Sequence, residues 1–343
     1  MNDIGVGIIG LGFMGKTQTE TISRYCRGAK VKAVTDVDVS RAKEVAAKYG
    51  IDWTQSVDDM LARKDIDAVY IETPHNLHGP QALAAIRAGK HVMIEKPMAH
   101  TVKLCDEIIE ASDKACVQCS ITFSQRSRIC NIKAKQLIDE GALGHVRQIL
   151  EFHLLAGGLI AFPKWQSDQE NLGILFGHAI HNFDRIRWFT GAEIATVYAS
   201  CMTLDPNVHV EATSMVMMTL TDGTAVTLWS SGELPKPSFP TRDFGAMVVG
   251  DKALMDLDSY NELKINVGGQ WKVVEKQAPV DWAGKGFLDP VRLESFTRHS
   301  QGFFDAIREN RRPPVTAWDG RQAVAAVLAA YESAKTGKVI KLN

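Results

Sequence analysis

The chain has 343 residues, 45% of them apolar and 23% charged, and its 39 basic and 40 acidic side chains leave a formal net charge of −1. That length implies roughly two domains, and the composition is that of a globular chain, not a disordered one. A balanced charge argues against nucleic acid as a partner, and the absence of an apolar run of about 20 residues argues against a membrane span. The apolar start is broken by glycines and lacks the basic flank of a secretory signal, so a cytoplasmic protein is expected. Six cysteines are scattered, and only Cys116 and Cys119 have the spacing of a metal or redox pair. No second pair or histidine cluster accompanies them, so free thiols and no metal are expected.

In chain order, short apolar runs at Val6–Ile9, Val31–Thr35, Ala68–Ile71, His91–Ile94 and Cys116–Thr122 alternate with segments of helical period such as Ser40–Tyr49, Val57–Ala62 and Gly79–Ala88. This alternation predicts βαβ units around a parallel sheet, a doubly wound domain over residues 1–124. A helix over Asn131–Glu140, stopped by Gly141 and Gly144, leads into a second domain over 125–343 with longer strands. Thr213–Leu220 and Ala225–Ser231 flank a Thr-Asp-Gly-Thr turn, and Leu263–Val267 and Trp271–Val274 flank Gly268-Gly269. With Val146–Leu155, Thr196–Thr203 and Gly245–Val249 these runs predict one open, largely antiparallel sheet. Phe296–Glu309 and Gly320–Lys335 return to helical period, so the second domain reads as α+β. Apolar positions Val216, Met218, Val226 and Leu228 suggest burial against another subunit.

The chemistry begins at Gly10-Leu-Gly12-Phe13-Met14-Gly15, which follows the first apolar run and opens a helical stretch. Gly10 permits the tight turn, Gly12 lets the backbone approach a pyrophosphate, and Gly15 allows close helix–strand packing. Asp36 follows the second apolar run, where a carboxylate accepts the adenosine ribose hydroxyls and repels a 2′-phosphate. NAD is therefore favoured over NADP, with Arg41 as the feature that speaks for the latter.

Three further motifs stand out: Thr73-Pro74-His75-Asn-Leu-His78, Glu95-Lys96-Pro97, and His181-x-x-Asp184. Together with the glycine turn, Arg126 and the closing Gly320-Arg-Gln-Ala323 they make the chain resemble, over essentially its whole length, the Gfo/Idh/MocA family, named for glucose-fructose oxidoreductase and inositol dehydrogenase. The resemblance implies that Thr73, Pro74, His75 and His78 line the cofactor groove, that Glu95 steadies the cofactor, and that Lys96 touches both ribose and substrate. It implies that His181 is the catalytic acid–base, assisted by the Lys96 cation, and that the protein forms homodimers or homotetramers.

On an α-helix His178, His181 and Asp184 fall about 60° apart, which predicts a polar face separate from a core face made by Phe176, Ala179, Ile180, Phe183 and Ile186. Arg126, Arg128, His153 and Trp165 are further candidates for a polar, aromatic-edged substrate pocket. The family pattern places an aspartate where this chain has Gly177, which detaches the sequence from any one family substrate. The expected activity is NAD-dependent oxidation of a secondary hydroxyl on a sugar, glycoside, cyclitol or related small polyol. The alternatives are a dehydrogenase of aromatic-derived cyclic cis-dihydrodiols and a non-catalytic NAD-binding regulator.

Overall fold

The structure is a computed structural model and describes residues 3–156, 173–235 and 244–342. The chain divides into two compact units: Met1–Ser124 with Val280–Arg321, and Gln125–Pro279 with Gln322–Asn343.

The first unit is built on a six-stranded, all-parallel sheet. Its strands are β1 (Ile4–Ile9), β2 (Ala29–Thr35), β3 (Asp52–Trp53), β4 (Ala68–Ile71), β5 (His91–Ile94) and β6 (Cys119–Ile121), in the order β3-β2-β1-β4-β5-β6. Every residue of β1 and β4 is buried, as a parallel sheet covered on both faces requires. Helices α1 (Phe13–Tyr25), α2 (Val39–Tyr49), α3 (Val57–Ala62), α4 (His75–Arg87) and α5 (Val102–Ala115) form the crossovers. Their starts are chemically marked: Asp38 accepts from Ser40 and Arg41 N–H, Ser56 from Asp59 N–H, and Thr101 from Leu104 N–H.

The boundary expected from sequence needs one correction. Residues 280–321 do not stay with the second domain, because α8 (Pro290–Arg308) carries Phe303 and Phe304, both fully buried in the core of the first sheet with Val6, Ile8, Val31 and Met93. Their rings lie 6.1 Å and 6.0 Å from that of Tyr70. Burying two phenylalanines there outweighs sequence proximity to the second domain.

The second unit contains a nine-stranded sheet, in which Leu254–Asp258 and Ile340–Lys341 are strands that the sequence runs did not include. Its members are β7 (Val146–Ala156), β8 (Ile194–Met202), β9 (Thr213–Leu220), β10 (Ala225–Leu234), β11 (Phe244–Gly250), β12 (Leu254–Asp258), β13 (Glu262–Val267), β14 (Gln270–Lys276) and β15 (Ile340–Lys341). The order is β14-β13-β12-β11-β7-β10-β9-β8-β15, and only β7 and β10 pair in parallel. The helices are α6 (Ile129–Asp139), α7 (Ile180–Thr190) and α9 (Ala317–Thr336), the last entering this unit at Gln322.

The strict alternation along β9 settles which sheet face is covered within the chain. Ser214, Val216, Met218 and Leu220 are buried, whereas Met215 and Met217 are 45% and 59% exposed. Val216, Met218, Val226 and Leu228 therefore belong to this chain's own core, and the expectation that they face another subunit is overturned. The exposed face carries Tyr198 and Met217, paired on β8 and β9, and Met247 on β11, which the register joins to Met217 through Thr227 on β10 and Leu150 on β7. Among the described residues, no helix is long and apolar enough to cross a membrane.

Candidate active site

The glycine turn lies between β1 and α1. Gly10 has φ of +90°, a conformation costly for any residue with a Cβ, and its N–H donates to Thr35 O at 2.9 Å. A Cβ on Gly15 would come within 1.8 Å of Gly10 O, so helix and turn touch backbone to backbone. A Cβ on Gly12, in contrast, would meet no atom within 4 Å. Gly12 is also the cap residue of α1 and supplies no side chain to the first-turn amides, which include those of Phe13, Met14 and Gly15. Unfilled space before a helix N-terminus, with donors directed into it, fits a pyrophosphate.

Asp36 sits at the end of β2 with its carboxylate turned toward that turn. Oδ2 accepts from Leu11 N–H at 2.6 Å, Oδ1 from Asp38 N–H at 2.8 Å, and Arg41 Nη1 lies 3.3 Å from both. A carboxylate has about four acceptor directions, so it can still accept from ribose hydroxyls. Arg41 is held between Asp36 and Asp38, with Nη2 at 3.3 Å from Asp38 Oδ2.

At the C-terminal ends of β4 and β5 the remaining cofactor-side residues separate by role. Thr73 Oγ1 donates to Gln81 Oε1 at 2.6 Å, Pro74 caps α4, and His75 opens it. His78 was expected in the cofactor groove, but it is completely buried, with Nδ1 2.7 Å from Pro97 O and Nε2 2.7 Å from Thr73 O. It clamps the two loops together, and burial pushes its pKa down to about 4 against the pull of the two carbonyls. Lys96, followed by a cis bond to Pro97, extends its Nζ to 3.6 Å from Glu95 Oε1.

Three first-unit residues escaped the sequence reading. Arg292 on α8 donates to Phe287 O at 2.6 Å and reaches Thr17 Oγ1 at 3.4 Å and Met14 Sδ at 3.8 Å, beside the first turns of α1. Phe287 places its ring 5.0 Å from the exposed ring of Phe13. Glu72, directly after β4, is buried. Only Glu72 left a sequence signal, an acidic residue ending an apolar run one position before Thr-Pro.

In the second unit His153 and His181 flank one aromatic ring, and His178 lies beside His153. Register pairs Phe244 on β11 with His153 on β7, their rings 4.8 Å apart and edge to face. His178 lies 6.1 Å from His153, and His181 lies 6.2 Å from Phe244. Arg126 grips Asp184 with Nε–Oδ2 at 2.8 Å and Nη2–Oδ1 at 2.5 Å, and its guanidinium lies 5.8 Å from the Trp188 ring.

The expected helix geometry is corrected here. Leu175–Ala179 is a π-helical turn, wider than an α turn, so the 100° step does not carry from His178 to His181. Nor does α7 keep a free polar face, since His181, Asn182, Asp184, Arg185 and Arg187 are all buried. Arg185 pairs with buried Glu151 through Nη2–Oε2 and Nε–Oε1, and donates from Nη1 to Ser259 Oγ at 2.7 Å; Asn182 Nδ2 donates to the same Glu151 at 2.7 Å. This network fixes the rotation of α7 and hence the direction of His181. Glu211 anchors the π turn by accepting from Leu175 N–H at 2.9 Å and from Tyr331 Oη at 3.1 Å. Arg128 is buried with its guanidinium 3.6 Å from the Tyr260 ring, a packing position and not a pocket one. Trp165 lies outside the described residues.

A doubly wound domain with a glycine turn and a carboxylate at the end of the second strand, joined to an open-sheet domain bearing buried histidines, defines a two-domain dinucleotide-dependent oxidoreductase. Residues 4–123 match the oxidoreductase family described as having an NAD-binding Rossmann fold, and residues 131–255 match the Gfo/Idh/MocA C-terminal domain. The chain belongs to the Gfo/Idh/MocA family and is an NAD(P)-dependent oxidoreductase. It is 30% identical to inositol 2-dehydrogenase 4 of Saccharopolyspora erythraea over 351 residues, covering 98% of this chain and 94% of that one. Among solved structures it is similar to aldose-aldose oxidoreductase from Caulobacter crescentus complexed with glycerol (TM-score 0.85, 26% identity, 99% of this chain and 100% of that one). It is likewise similar to scyllo-inositol dehydrogenase from Lactobacillus casei with bound NAD(H) and scyllo-inositol (TM-score 0.84, 26% identity, 99% of each chain).

Proposed function

We propose that this enzyme oxidises a secondary hydroxyl of a cyclitol, sugar, glycoside or related polyol, and prefers NAD to NADP. NAD supplies the hydride acceptor when bound. The hydroxyl proton must leave as the carbon loses hydride, and His181 takes it, because an imidazole accepts protons near neutral pH. Lys96 supplies the cation that favours the developing alkoxide. Its ammonium is kept in one place by Glu95, at 3.6 Å. Arg126, oriented by Asp184, binds substrate hydroxyls, while His153 and His178 line the same side of the second unit.

The observation that carries this reading is the buried mounting of His181. An imidazole fixed against Phe244 by a helix locked through Arg185 and Glu151 is an expensive arrangement that suits a positioned acid–base. The named activities of the relatives supply the substrate class. The enzyme acts as a homodimer or homotetramer joined through the exposed face carrying Met217.

The test is reduction of NAD and of NADP followed by nicotinamide absorbance across inositol isomers, aldoses, glycosides and a cis-dihydrodiol. Turnover of a polyol with NAD is expected. Binding of NAD without turnover of any member, or turnover confined to the dihydrodiol, overturns the proposal.

A further inference from the structure

In the parallel register of β4 and β5, Ile71 pairs with Ile94. The next residues are Glu72 and Glu95, and the ladder continues through both: Glu72 N–H donates to Ile9 O at 2.8 Å and Glu95 N–H to Ile71 O at 2.9 Å. Two carboxyl side chains thus leave neighbouring strands on the same side of the sheet, from backbones about 5 Å apart. Each residue is 7% exposed. Among the described residues, neither carboxyl oxygen of Glu72 nor Oε2 of Glu95 meets a hydrogen-bond donor, whereas Glu95 Oε1 faces Lys96 Nζ.

The pair lies directly under the glycine turn. An ideal Cβ on Gly15 would stand 3.6 Å from the Glu72 Cβ, and one on Gly10 would stand 2.7 Å from Glu72 O. Two carboxylates so placed, one without a counter-ion, would both be penalised by desolvation and would also repel the phosphates of a dinucleotide.

We propose that Glu72 is a neutral carboxylic acid at neutral pH, that its O–H donates to Glu95, and that it is a positioning residue acting through Glu95 on Lys96. One proton then satisfies the donor-less oxygen of Glu95, removes the second negative charge from beneath the turn, and fixes the carboxylate that holds the Lys96 ammonium.

The groups around the pair decide which carboxyl keeps the proton. Lys96 and, from α8, Arg292 favour the charged form of Glu95, while burial disfavours it. For Glu72 burial is the largest influence and the Glu95 charge adds to it, both raising its pKa well above the ordinary value, with Lys96 opposing. A further titratable group beside Glu72, among the described residues, is Tyr70 on its own strand, itself pushed far up by burial and thus neutral. Like-charged neighbours that cannot both ionise share one proton in this way.

The test starts with the cofactor-free protein. The infrared difference spectrum between wild type and Glu72→Gln at neutral pH is expected to show loss of a protonated-carboxyl C=O stretch; loss of carboxylate bands instead overturns the proposal. Should Glu72→Gln fail to fold, the side-chain carboxyl 13C resonance of Glu72 in the wild type, assigned through its own backbone, decides the same question. A shift in the carboxylate range at neutral pH is the overturning result.

The positioning role is read from NAD titrations, which rest on the function proposed above. Glu72→Gln keeps a donor and is expected to retain wild-type affinity, whereas Glu72→Leu leaves a Glu95 oxygen unpaired and is expected to lose about tenfold. Equal affinity of both variants removes the positioning role. Failure of wild type itself to bind NAD would defeat the functional reading and leave the spectroscopic result on the proton standing.

Discussion

Arg126 and Asp184 form a two-pronged ion pair, with Nε–Oδ2 at 2.8 Å and Nη2–Oδ1 at 2.5 Å, in which the carboxylate is 1% and the guanidinium side chain 10% exposed. The fork fixes Arg126 in a plane that a lysine cannot reproduce. Arg126→Lys is expected to raise KM for the polyol with little change in kcat, since the ammonium restores the charge but not the orientation. Asp184→Ala removes the carboxylate from a half-buried guanidinium and is expected to cost up to about 3 kcal/mol of stability in urea unfolding. Unchanged KM in the first variant would move Arg126 from substrate binding to a purely structural role.

His181→Ala is expected to lower kcat by about a hundredfold or more while leaving NAD affinity unchanged, the pattern of a lost acid–base group. Steady-state kinetics and NAD titration on the same preparation check it. A small loss of kcat would reassign the proton, with His178 and Lys96 as the next groups to replace.

Asp36→Ser removes the carboxylate that meets Leu11 N–H, Asp38 N–H and Arg41. Freed from Asp36, Arg41 becomes available to a 2′-phosphate. The variant is expected to bind NAD more weakly and to narrow the preference for NAD over NADP, measured as the ratio of kcat/KM values. An unaltered ratio would show that Asp36 serves the loop and not the ribose.

The parts of this protein legible in its sequence are those encoded by local pattern. Glycine spacing after an apolar run located the turn before α1, and the Thr-Asp-Gly-Thr turn located β9 and β10 on either side of it, because turn chemistry is short-range. Long-range packing was not legible. The return of Phe303 and Phe304 to the first core depends on Tyr70, more than two hundred residues away in the chain. His78 reads as a groove histidine from its motif, yet its carbonyl partners, Thr73 and Pro97, sit on two separate loops. The π turn at Leu175–Ala179 is equally hidden, since it adds one residue to a turn without altering the apolar pattern around it.

The exposed face with Tyr198, Met217 and Met247 concerns assembly. Large side chains on an open sheet face lose contact with water when a second copy covers them. Met217→Lys places a charge on that face and is expected to shift the protein toward the monomer in sedimentation experiments. The same stoichiometry in wild type and variant would place the subunit interface elsewhere.

Acid stability should depend on His78. Its pKa falls from 6.5 to about 4 on folding because burial outweighs the two carbonyls, so the ring is neutral in the native state and can donate to only one of them. Between those two values the unfolded chain binds the proton and the native chain does not, so stability rises with pH across this window. The contribution is complete above about pH 6.5 and is lost as pH falls toward about 4; the full swing corresponds to roughly 3 kcal/mol. His78→Gln keeps one donor to a carbonyl but cannot titrate, and should therefore lack this part of the acid slope. In urea unfolding the wild type should lose ground to the variant steadily as pH is lowered from about 7 to about 4. A stability difference that stays constant across this range would mean that His78 takes up its proton in the folded state over the same pH range as in the unfolded chain, so that burial does not keep the ring neutral.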